Sequence, residues 1–565
     1  MARKILIVGG VAGGATAAAR ARRLDEEAEI IIFERGEYIS FANCGLPYYI
    51  GRVIEERDKL LVTTADFFSQ RYRVDVRTGQ EVTAIHARAK RITVRDLAKG
   101  LTYEEDYDRL ILSPGAEPVR PPLPGIDHER IYHLRSIPDS DRIKALLDQN
   151  RVSRAVVVGA GYIGLEMAEN LAHRGVEVRV VEMLDQVLAP LDPEMAGLVQ
   201  VHLEEKGVGL VLNDGVKAFN HLADGLEVET SGGQKIETDL VLLAIGVRPE
   251  IGLAGQAGLA IGSSGGIRVD ATMRTSDPDI YAVGDAVEVR DFVTGKPALI
   301  PLAGPANRQG RIAADNALGR RSTYRGTQGT SILKVFDLTA AATGANQKTL
   351  AGNGIPFIAG TTISGSHAGY YPGAEYMTIK LLFGPVDGRI LGAQIVGGQG
   401  VDKRIDVLAT ALRAGLTVFD LEELELAYAP PFSSAKDPVN IAGYAAANIL
   451  KGDMEQITWD RLQETDWEGS VLVDVRESKE LEELGRLEGA LHIPLHQLRE
   501  KLKELDPQKT HIFYCAAGLR AYLAYRIAHQ KGFQALNLAG GFDTISGAGG
   551  REEFPAAGPG AIVKG

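Results

Sequence analysis

The chain has 565 residues, of which 24% are charged and 45% are hydrophobic, and its formal net charge is −12. This length exceeds what one hydrophobic core covers, so several domains are expected. The acidic balance argues against a broad nucleic-acid partner, which needs clustered lysine and arginine, and no apolar run approaches the roughly 20 residues that span a bilayer.

The first ten residues, MARKILIVGG, run directly into a strand pattern instead of a signal peptide, so we expect a cytoplasmic protein without a membrane partner. The only cysteines are Cys44 and Cys515. Two cysteines are too few for a disulfide scaffold or a C-x-x-C metal cluster, so no metal is predicted. Lone cysteines in a reducing compartment are usually small buried residues, and only their local context can indicate chemistry.

The first predicted unit is a strand, a glycine-rich turn, a helix and a second strand. The strand Lys4–Val8 leads into Gly-Gly-Val-Ala-Gly-Gly, a helix runs from about Ala15 to Leu24, and a second strand ends at an acidic residue. This order is typical of dinucleotide binding, although Val11 replaces the middle glycine of G-x-G-x-x-G. The predicted cofactor contacts of this unit are Gly9, Gly10, Ala12, Gly13, Gly14 and Glu34.

The same pattern returns about 150 residues later. A strand over 155–158 precedes a complete G-x-G-x-x-G, and the next strand again ends at a carboxylate. Glu182 favours NADH, because a carboxylate bonds the ribose 2′-hydroxyl and repels a 2′-phosphate. Arg179 lies nearby and leaves NADPH as an alternative. The predicted contacts here are Gly159, Gly161, Tyr162, Ile163, Gly164 and Glu182.

Three further segments complete a recognisable set. They are Ser-Pro-Gly-Ala at 113–116, Ala-Ile-Gly-Val-Arg-Pro at 244–249, and a strand that ends in Gly-Asp at 284–285. In this order they resemble the pyridine nucleotide–disulfide oxidoreductases. The resemblance covers residues 1 to about 450 and implies FAD in the first fold, NAD(P)H in the second and a dimerisation domain after both. It adds the cofactor contacts Ser113, Gly115, Gly246 and Asp285.

Cys44 lies in Ser-Phe-Ala-Asn-Cys-Gly-Leu-Pro-Tyr, shortly after the first dinucleotide unit. A nearby flavin and a helix end can lower a thiol pKa and produce the nucleophilic thiolate. No other cysteine lies within 450 residues of Cys44, so an internal disulfide with a neighbouring cysteine is excluded. The redox partner is therefore a substrate sulfur or the sulfenic acid of Cys44 itself.

The Cys44 segment is similar to the single-cysteine branch represented by coenzyme A disulfide reductase. In that branch the cysteine forms a mixed disulfide with coenzyme A (CoA). The resemblance implies CoA contacts at Thr16, Arg20, Arg23, Ser40, Asn43, Asn307 and Lys436. Two arginines three apart on one helix suit a phosphate, but cations that complement a helix C-terminus explain them equally well. Family members carry His where Asn307 stands.

Two tyrosines also match the branch, Tyr370 and Tyr428. The resemblance implies that they approach the cysteine of the opposite subunit, where a phenol can hydrogen-bond a leaving thiolate. Core packing is the alternative for either residue. Because Tyr371 is adjacent to Tyr370, either of these two tyrosines fits the first of the two positions.

The C-terminal hundred residues contain a second candidate centre. Cys515-Ala-Ala-Gly-Leu-Arg520 follows a strand and forms a six-residue loop whose backbone N–H groups can cradle a persulfide or thiosulfate. With Asp-Val-Arg at 474–476 and His492 upstream, this segment resembles a rhodanese domain. The resemblance implies that Cys515 and Arg520 are catalytic, and a docking module without activity is the alternative.

Together these patterns predict an α/β chain with two Rossmann-like dinucleotide-binding domains, an α+β dimerisation domain and a C-terminal rhodanese-like α/β domain. The predicted bounds are 1–113 and 246–325 for FAD, 114–245 for NADH, 326–450 for dimerisation, 451–458 for a linker and 459–565 for the rhodanese-like domain.

The predicted function is NADH-driven, FAD-dependent reduction of CoA persulfide, polysulfide or CoA disulfide by a homodimer. An NADH oxidase or peroxidase and a redox-sensing scaffold are the alternatives. The sequence leaves open which sulfur substrate is physiological and whether sulfur passes from Cys515 to Cys44.

Overall fold

The computed structural model describes residues 3–462, 464–547 and 562–563, and these residues form two compact units. The first comprises Met1–Met183 and Asp214–Gly329, and the second comprises Leu184–Asn213 and Thr330–Gly565. The part of the predicted rhodanese-like domain at 548–561 and 564–565 lies outside the described residues. Within the described part, no helix is both long and apolar enough to cross a membrane.

The first sheet of unit 1 is entirely parallel. Its strands are near-continuous runs of Ile, Leu and Val, as expected where both faces are covered, and Ile5, Leu6 and Ile7 have no exposed surface. In spatial order the strands are Ile280–Ala282, Arg109–Leu112, Lys4–Val8, Glu29–Glu34 and Asp75–Thr78.

Helix Ala12–Leu24 begins three residues earlier than predicted and packs on helix Ala303–Ala317. The contact is close because both helices carry glycine there: a Cβ on Gly310 would lie 2.3 Å from the Gly13 carbonyl oxygen. These two helices place the glycine turn and residues near Asn307 side by side.

The second sheet of unit 1 is also parallel and repeats the strand, turn and helix construction. Its strands in this unit are Glu177–Val181, Arg154–Val158, Leu240–Leu243 and Ile131–Tyr132, and helix Tyr162–His173 follows the turn. The remaining helices of unit 1 are Leu46–Ile50, Ala65–Tyr72, Ile137–Asp148 and Gly252–Gln256.

Small sheets complete unit 1. Two are antiparallel three-stranded sheets, Gln80–His86 with Arg91–Asp96 and Thr102–Asp106, and Val216–Leu222 with Gly225–Thr230 and Lys235–Thr238. Ala116–Pro118 pairs with Val247–Pro249, and Val287–Arg290 pairs with Ile267–Arg268 and Pro297–Ala298.

Unit 2 contains an antiparallel sheet with helices around it. Its strands in spatial order are Ser331–Val335, Leu338–Gly344, Ile390–Gly397, Tyr376–Phe383 and Ile358–Gly365. Its helices are Gln347–Gly352, Val401–Ala414, Val418–Glu423 and Pro438–Leu450.

Residues 184–213, which the prediction assigned to the NADH-binding domain, cluster with this antiparallel sheet. They contribute helix Pro193–Glu205 and strand Gly209–Val211. The buried amine of Lys380 contacts the carboxylates of Asp192, at 2.8 Å, and Glu194. Gln394 also exchanges two hydrogen bonds with Asp192. Because a buried charge is costly without its partners, this network fixes the segment to the sheet.

The C-terminal part of unit 2 is a parallel sheet with the strand order Gln456–Ile457, Ala535–Leu538, Thr510–Tyr514, Ser470–Asp474 and Leu491–His492. Its helices are Trp459–Leu462, Ser478–Leu484, Leu495–Lys501, Leu519–His529 and Gly541–Gly547, and Arg486–Leu487 pairs with Ile562–Val563. The predicted fold class is confirmed.

Candidate active site

The first glycine turn has no room for side chains at two of its positions. A Cβ on Gly9, whose φ is +92°, would lie 2.1 Å from the carbonyl oxygen of Ser113, and a Cβ on Gly14 would lie 1.9 Å from that of Gly9. The Gly10 N–H donates to Glu34 at 2.8 Å. Val11 stands immediately before the helix, which begins at Ala12, so the missing middle glycine does not prevent the turn.

The second turn repeats this geometry. A Cβ on Gly159 would lie 2.5 Å from the Ala244 carbonyl oxygen, and one on Gly164 would lie 2.0 Å from that of Gly159. The Ala160 N–H donates to Glu182 at 2.7 Å. Gly161 caps the helix, Tyr162 begins it and Ile163 is exposed. The N-terminus of a helix behind a glycine turn suits a pyrophosphate, so both turns fit a dinucleotide.

The surroundings of the Asp285 carboxylate show whether the first dinucleotide fold fits a flavin nucleotide. It follows strand Ile280–Ala282 in a short turn, and burial raises the pKa of its carboxyl, which the positive charge of Arg135 partly offsets. Among the described residues no hydrogen bond satisfies this carboxylate. A half-buried carboxylate without a donor is unfavourable alone and fits a ligand that brings hydroxyl groups, as the FAD ribityl chain does.

The other predicted cofactor residues line neighbouring turns. The Ser113 N–H donates to Val8 at the end of the central strand. Gly115 and Gly246 have φ of +79° and +104°, a conformation that glycine adopts without strain. Their contact with a cofactor stays a prediction.

Cys44 lies in the one-turn 3-10 helix Asn43–Gly45, directly before helix Leu46–Ile50. The Ser40 N–H donates to Gly10 at 3.0 Å and ties this segment to the first glycine turn. Ser40 has a φ of +45°, a strained conformation for a residue other than glycine. Cys44 is a free cysteine, and the residue as a whole is exposed although protein groups surround its sulfur.

The protein groups around Cys44 raise the pKa of its thiol. Burial by the surrounding protein is the largest cause, followed by the negative charges of Glu166 and Asp285. A backbone hydrogen bond at Cys44 acts in the opposite direction and lowers the pKa. The expected contribution of a flavin to this pKa stays a prediction.

Glu166 is a candidate functional residue that the sequence interpretation missed. It lies on helix Tyr162–His173 and accepts a hydrogen bond from the Tyr48 hydroxyl at 3.2 Å. Burial raises the pKa of Glu166 to about 7, and the Tyr48 hydrogen bond opposes that change. The available signal was a glutamate two residues after Gly164, on the helix that follows the second glycine turn.

The structure brings two of the predicted CoA residues into direct contact. The Thr16 hydroxyl donates to the Asn307 amide oxygen at 2.5 Å, and the Asn307 amide nitrogen donates to the Ala303 carbonyl at 3.0 Å. The departure from the family's His at position 307 thus retains a polar contact with Thr16. Asn43 is exposed in the Cys44 segment of the same unit.

The two predicted phosphate-binding arginines have different surroundings. Arg20 donates to Asp315 at 2.7 Å in a largely buried ion pair, whereas Arg23 is exposed. Arg22 is buried and donates to four backbone carbonyls. Arg23 also lies in the last helical turn, so the alternative role of a cation at the helix C-terminus still applies to it. Because Arg23 is exposed, it is the more accessible candidate for a phosphate contact.

In unit 2 the predicted tyrosines form a pair. The hydroxyls of Tyr370 and Tyr428 lie 3.0 Å apart, and both side chains are exposed. Tyr371 instead packs edge-on against His367, so the geometry favours Tyr370 over Tyr371 as the partner of Tyr428. Lys436 is exposed next to Asp437, which caps helix Pro438–Leu450.

Cys515 begins a loop at the carboxyl edge of the C-terminal parallel sheet. Its sulfur accepts a hydrogen bond from the Gly518 N–H at 3.1 Å, and Gly518 has a φ of +104°. A Cβ on Gly541 would lie 2.4 Å from the Cys515 carbonyl oxygen, so the following segment packs directly on this loop. Of the predicted cradle of backbone N–H groups, the structure shows the Gly518 N–H bonded to the sulfur; the cradle as a whole stays a prediction.

Charged pairs surround the Cys515 loop. Arg520 donates two hydrogen bonds to Glu480, at 2.5 and 2.7 Å. Asp474 and Arg476 form a fully buried ion pair, and the His492 ring lies 2.9 Å from the Arg476 carbonyl oxygen.

Two glycine turns fit dinucleotides, a free cysteine lies in a segment tied to the first turn, and a second cysteine lies in a loop where a backbone N–H bonds its sulfur. These features define a flavin-dependent thiol oxidoreductase joined to a sulfur-transfer domain. Family models support this class: residues 3–310 match the pyridine nucleotide-disulphide oxidoreductases, 330–438 their dimerisation domain and 456–548 the rhodanese-like domain. The chain belongs to the pyridine nucleotide-disulphide oxidoreductase family and carries a rhodanese-like domain at its C-terminal end.

Individual relatives agree with this assignment. The coenzyme A disulfide reductase of Staphylococcus haemolyticus is 38% identical over 448 residues, which are 79% of this chain and 100% of the relative. The solved structure of reduced Bacillus anthracis CoADR-RHD has a TM-score of 0.95 and 51% identity over 97% of this chain and 98% of that one. The NAD-dependent persulfide reductase from A. fulgidus has a TM-score of 0.90 and 39% identity, with 96% and 99% covered.

Proposed function

We propose that this chain uses NADH to reduce CoA disulfide or CoA persulfide through Cys44, and that its rhodanese-like domain handles sulfane sulfur at Cys515. The observation that carries the proposal is the free cysteine Cys44, whose segment is tied through Ser40 to the first glycine turn. The names of the similar coenzyme A disulfide and persulfide reductases support the same substrates.

The reaction at Cys44 is a thiol–disulfide exchange. The Cys44 thiolate attacks one sulfur of CoA disulfide, the substrate S–S bond breaks, and one CoA thiolate leaves while a Cys44–CoA mixed disulfide forms. FAD, when bound, supplies the route for two electrons from NADH to this disulfide. Overall, NADH, one proton and CoA disulfide give NAD⁺ and two CoA thiols. CoA persulfide gives one CoA thiol and hydrogen sulfide.

The residues of this chain have separate tasks in the proposal. Glu34 and Asp285 hold the flavin nucleotide, and Glu182 selects NADH. Thr16, Arg23 and Asn307 bind CoA. Arg20 is held in its ion pair with Asp315.

We further propose a homodimer. The segment that matches the dimerisation domain exposes large aromatic side chains: Tyr376 is 75% exposed, Phe432 71% and Tyr370 75%. Isolated exposed aromatics are ordinary, but several in one segment favour a protein interface. In this arrangement Tyr370, Tyr428 and Lys436 serve the Cys44 centre of the opposite subunit.

The test of the proposed function is Cys44→Ser in the full chain. The variant should bind FAD and still allow NADH to reduce it, because neither glycine turn is altered. It should lose turnover with CoA disulfide and CoA persulfide. Near-normal turnover with either substrate would show that Cys44 is not the nucleophile. The oxidase or peroxidase alternative would instead be favoured if the wild type reduced oxygen or peroxide faster than CoA disulfide and lost that activity in Cys44→Ser, because that alternative works through the Cys44 sulfenic acid.

A further inference from the structure

Arg520, the cation of the Cys515 loop, is already neutralised within the protein. It interacts with the Cys515 thiol, and both terminal nitrogens of its guanidinium bind the carboxylate of Glu480. The hydrogen bonds from Arg520 are the largest cause that lowers the pKa of Glu480, so this carboxylate stays ionised. Such a bidentate pair has a fixed geometry, and it leaves Arg520 little net charge to offer an anionic substrate.

The other charges near the loop do not restore a positive field. Arg476 is fully buried and paired with Asp474, and its guanidinium lies 4.0 Å from the ring centre of Phe542. Asp543 follows in the segment that packs on the loop, and its N–H donates to the Ala516 carbonyl at 3.0 Å. Burial is the largest cause that raises the pKa of its carboxyl; the charge of Glu480 raises this pKa further, and the charges of Arg476 and Arg520 lower it.

In this described cluster, two arginines face three carboxylates, those of Asp474, Glu480 and Asp543. The loop between Cys515 and Arg520 is Ala-Ala-Gly-Leu and carries no charge. The backbone N–H of Gly518, directly before helix Leu519–His529, donates a hydrogen bond to the Cys515 sulfur. The surroundings of Cys515 are thus suited to a donor with little negative charge.

We propose that Glu480 selects the sulfur donor of the rhodanese-like domain, disfavouring dianionic oxoanions such as thiosulfate and leaving thiol persulfides as the substrate class. This inference rests on the proposed sulfur handling at Cys515. Glu480 acts through Arg520 and through its own charge, so it is a specificity-determining residue and does not react itself.

The charge balance of the transfer explains the selection. With a thiol persulfide, the Cys515 thiolate attacks the outer sulfur, the S–S bond of the donor breaks, and a thiolate leaves while Cys515 becomes a persulfide. With thiosulfate, the same attack releases sulfite. Thiosulfate carries two negative charges and the Cys515 thiolate carries one, so three negative charges meet at Cys515. The protonated persulfide group adds no charge to that of the thiolate. Like charges brought together in a partly buried site oppose the reaction.

The test compares thiosulfate with glutathione persulfide as donors, with cyanide as acceptor, in the full chain. Glu480→Gln retains the size of the side chain and an oxygen that can accept from Arg520 and from the N–H groups at the helix start, but removes the charge. We expect kcat/KM for thiosulfate to rise roughly 10- to 100-fold, with less than about a threefold change for glutathione persulfide.

A matched control is Glu483→Gln. Glu483 lies on the same helix, is exposed and forms an ion pair with Lys479 at 3.6 Å. This variant should leave the ratio of kcat/KM for thiosulfate to kcat/KM for glutathione persulfide unchanged. CoA disulfide reduction in each variant reports intact folding of the rest of the chain.

The second measurement is the dependence of kcat/KM on ionic strength, which a purely structural role of Glu480 would not change. In the wild type, kcat/KM for thiosulfate should increase with ionic strength, because salt screens like charges, and this dependence should weaken in Glu480→Gln. An equal ratio of kcat/KM for thiosulfate to kcat/KM for glutathione persulfide in wild type and Glu480→Gln would overturn the selection. In that case, loss of sulfur transfer from both donors in Cys515→Ser would still support the proposed function of Cys515. Retention of both activities in Cys515→Ser would contradict the proposed function and the selection together.

Discussion

Replacing Glu166 with glutamine should remove a titration near neutral pH from the reactivity of Cys44. Burial raises the pKa of Glu166 from 4.5 to about 7, which corresponds to roughly 3 kcal/mol against the ionised form. Glu166 is then about one-tenth ionised at pH 6 and about nine-tenths at pH 8. Since its carboxylate raises the pKa of Cys44, rising pH adds a charge that opposes thiolate formation over this same range.

The assay is the rate of Cys44 alkylation by iodoacetamide between pH 5.5 and 9, measured by mass spectrometry on the holoenzyme in a Cys515→Ser background. With Glu166 present, the rate should climb through pH 6–8 less steeply than a single thiol titration. In Glu166→Gln the profile should become a single titration displaced to lower pH, because the opposing charge is gone.

The matched control is Glu177→Gln, an exposed glutamate on the strand that follows the Glu166 helix. Its profile should coincide with that of the background enzyme. If Glu166→Gln also coincides with it, Glu166 does not act on Cys44 and the electrostatic reasoning is refuted.

Three further predictions test the cofactor and substrate assignments. Gly164→Ala should raise KM for NADH at least about tenfold, because its Cβ would meet a backbone oxygen at 2.0 Å. The control Gly255→Ala, whose Cβ would meet no atom within 4 Å, should leave KM for NADH near the wild-type value. Glu182→Ala should reduce the ratio of kcat/KM for NADH to that for NADPH, and an unchanged ratio would remove Glu182 from the selection. Arg23→Ala should raise KM for CoA disulfide by one to two decades, the loss of a charge-assisted contact of about 1.5–3 kcal/mol, while inorganic polysulfide turnover should hardly change. An unaltered KM would place the CoA phosphates elsewhere.

The features that the sequence predicts well are those that local geometry dictates. A glycine turn between a buried strand and a helix states its requirement directly, since Gly9 and Gly14 exclude a Cβ through contacts with carbonyls of the turn or of the adjoining strand end. The repeated unit around Gly159 has the same origin. The parallel sheets, and with them the fold class, follow from these repeats and from the buried apolar strands.

The missing features depend on residues that are distant along the chain. The hydrogen bond between Tyr48 and Glu166 joins positions 118 residues apart, and the ion pair of Arg20 with Asp315 joins positions 295 apart. Neither pairing leaves a periodic signal, and the pKa of Glu166 depends on burial that only the folded chain creates. The attachment of Asp192 to the sheet by buried Lys380 is hidden for the same reason.

The most direct test of the account is the intact mass of the chain after exposure to CoA disulfide without NADH. In Cys515→Ser the account predicts one CoA thiol bound per chain, which NADH removes with the release of free CoA. Cys44→Ser should show no adduct that NADH can discharge. A persistent adduct on Cys515 alone, or an unmodified Cys44 in an enzyme that still turns over CoA disulfide, would contradict reduction through a mixed disulfide at Cys44.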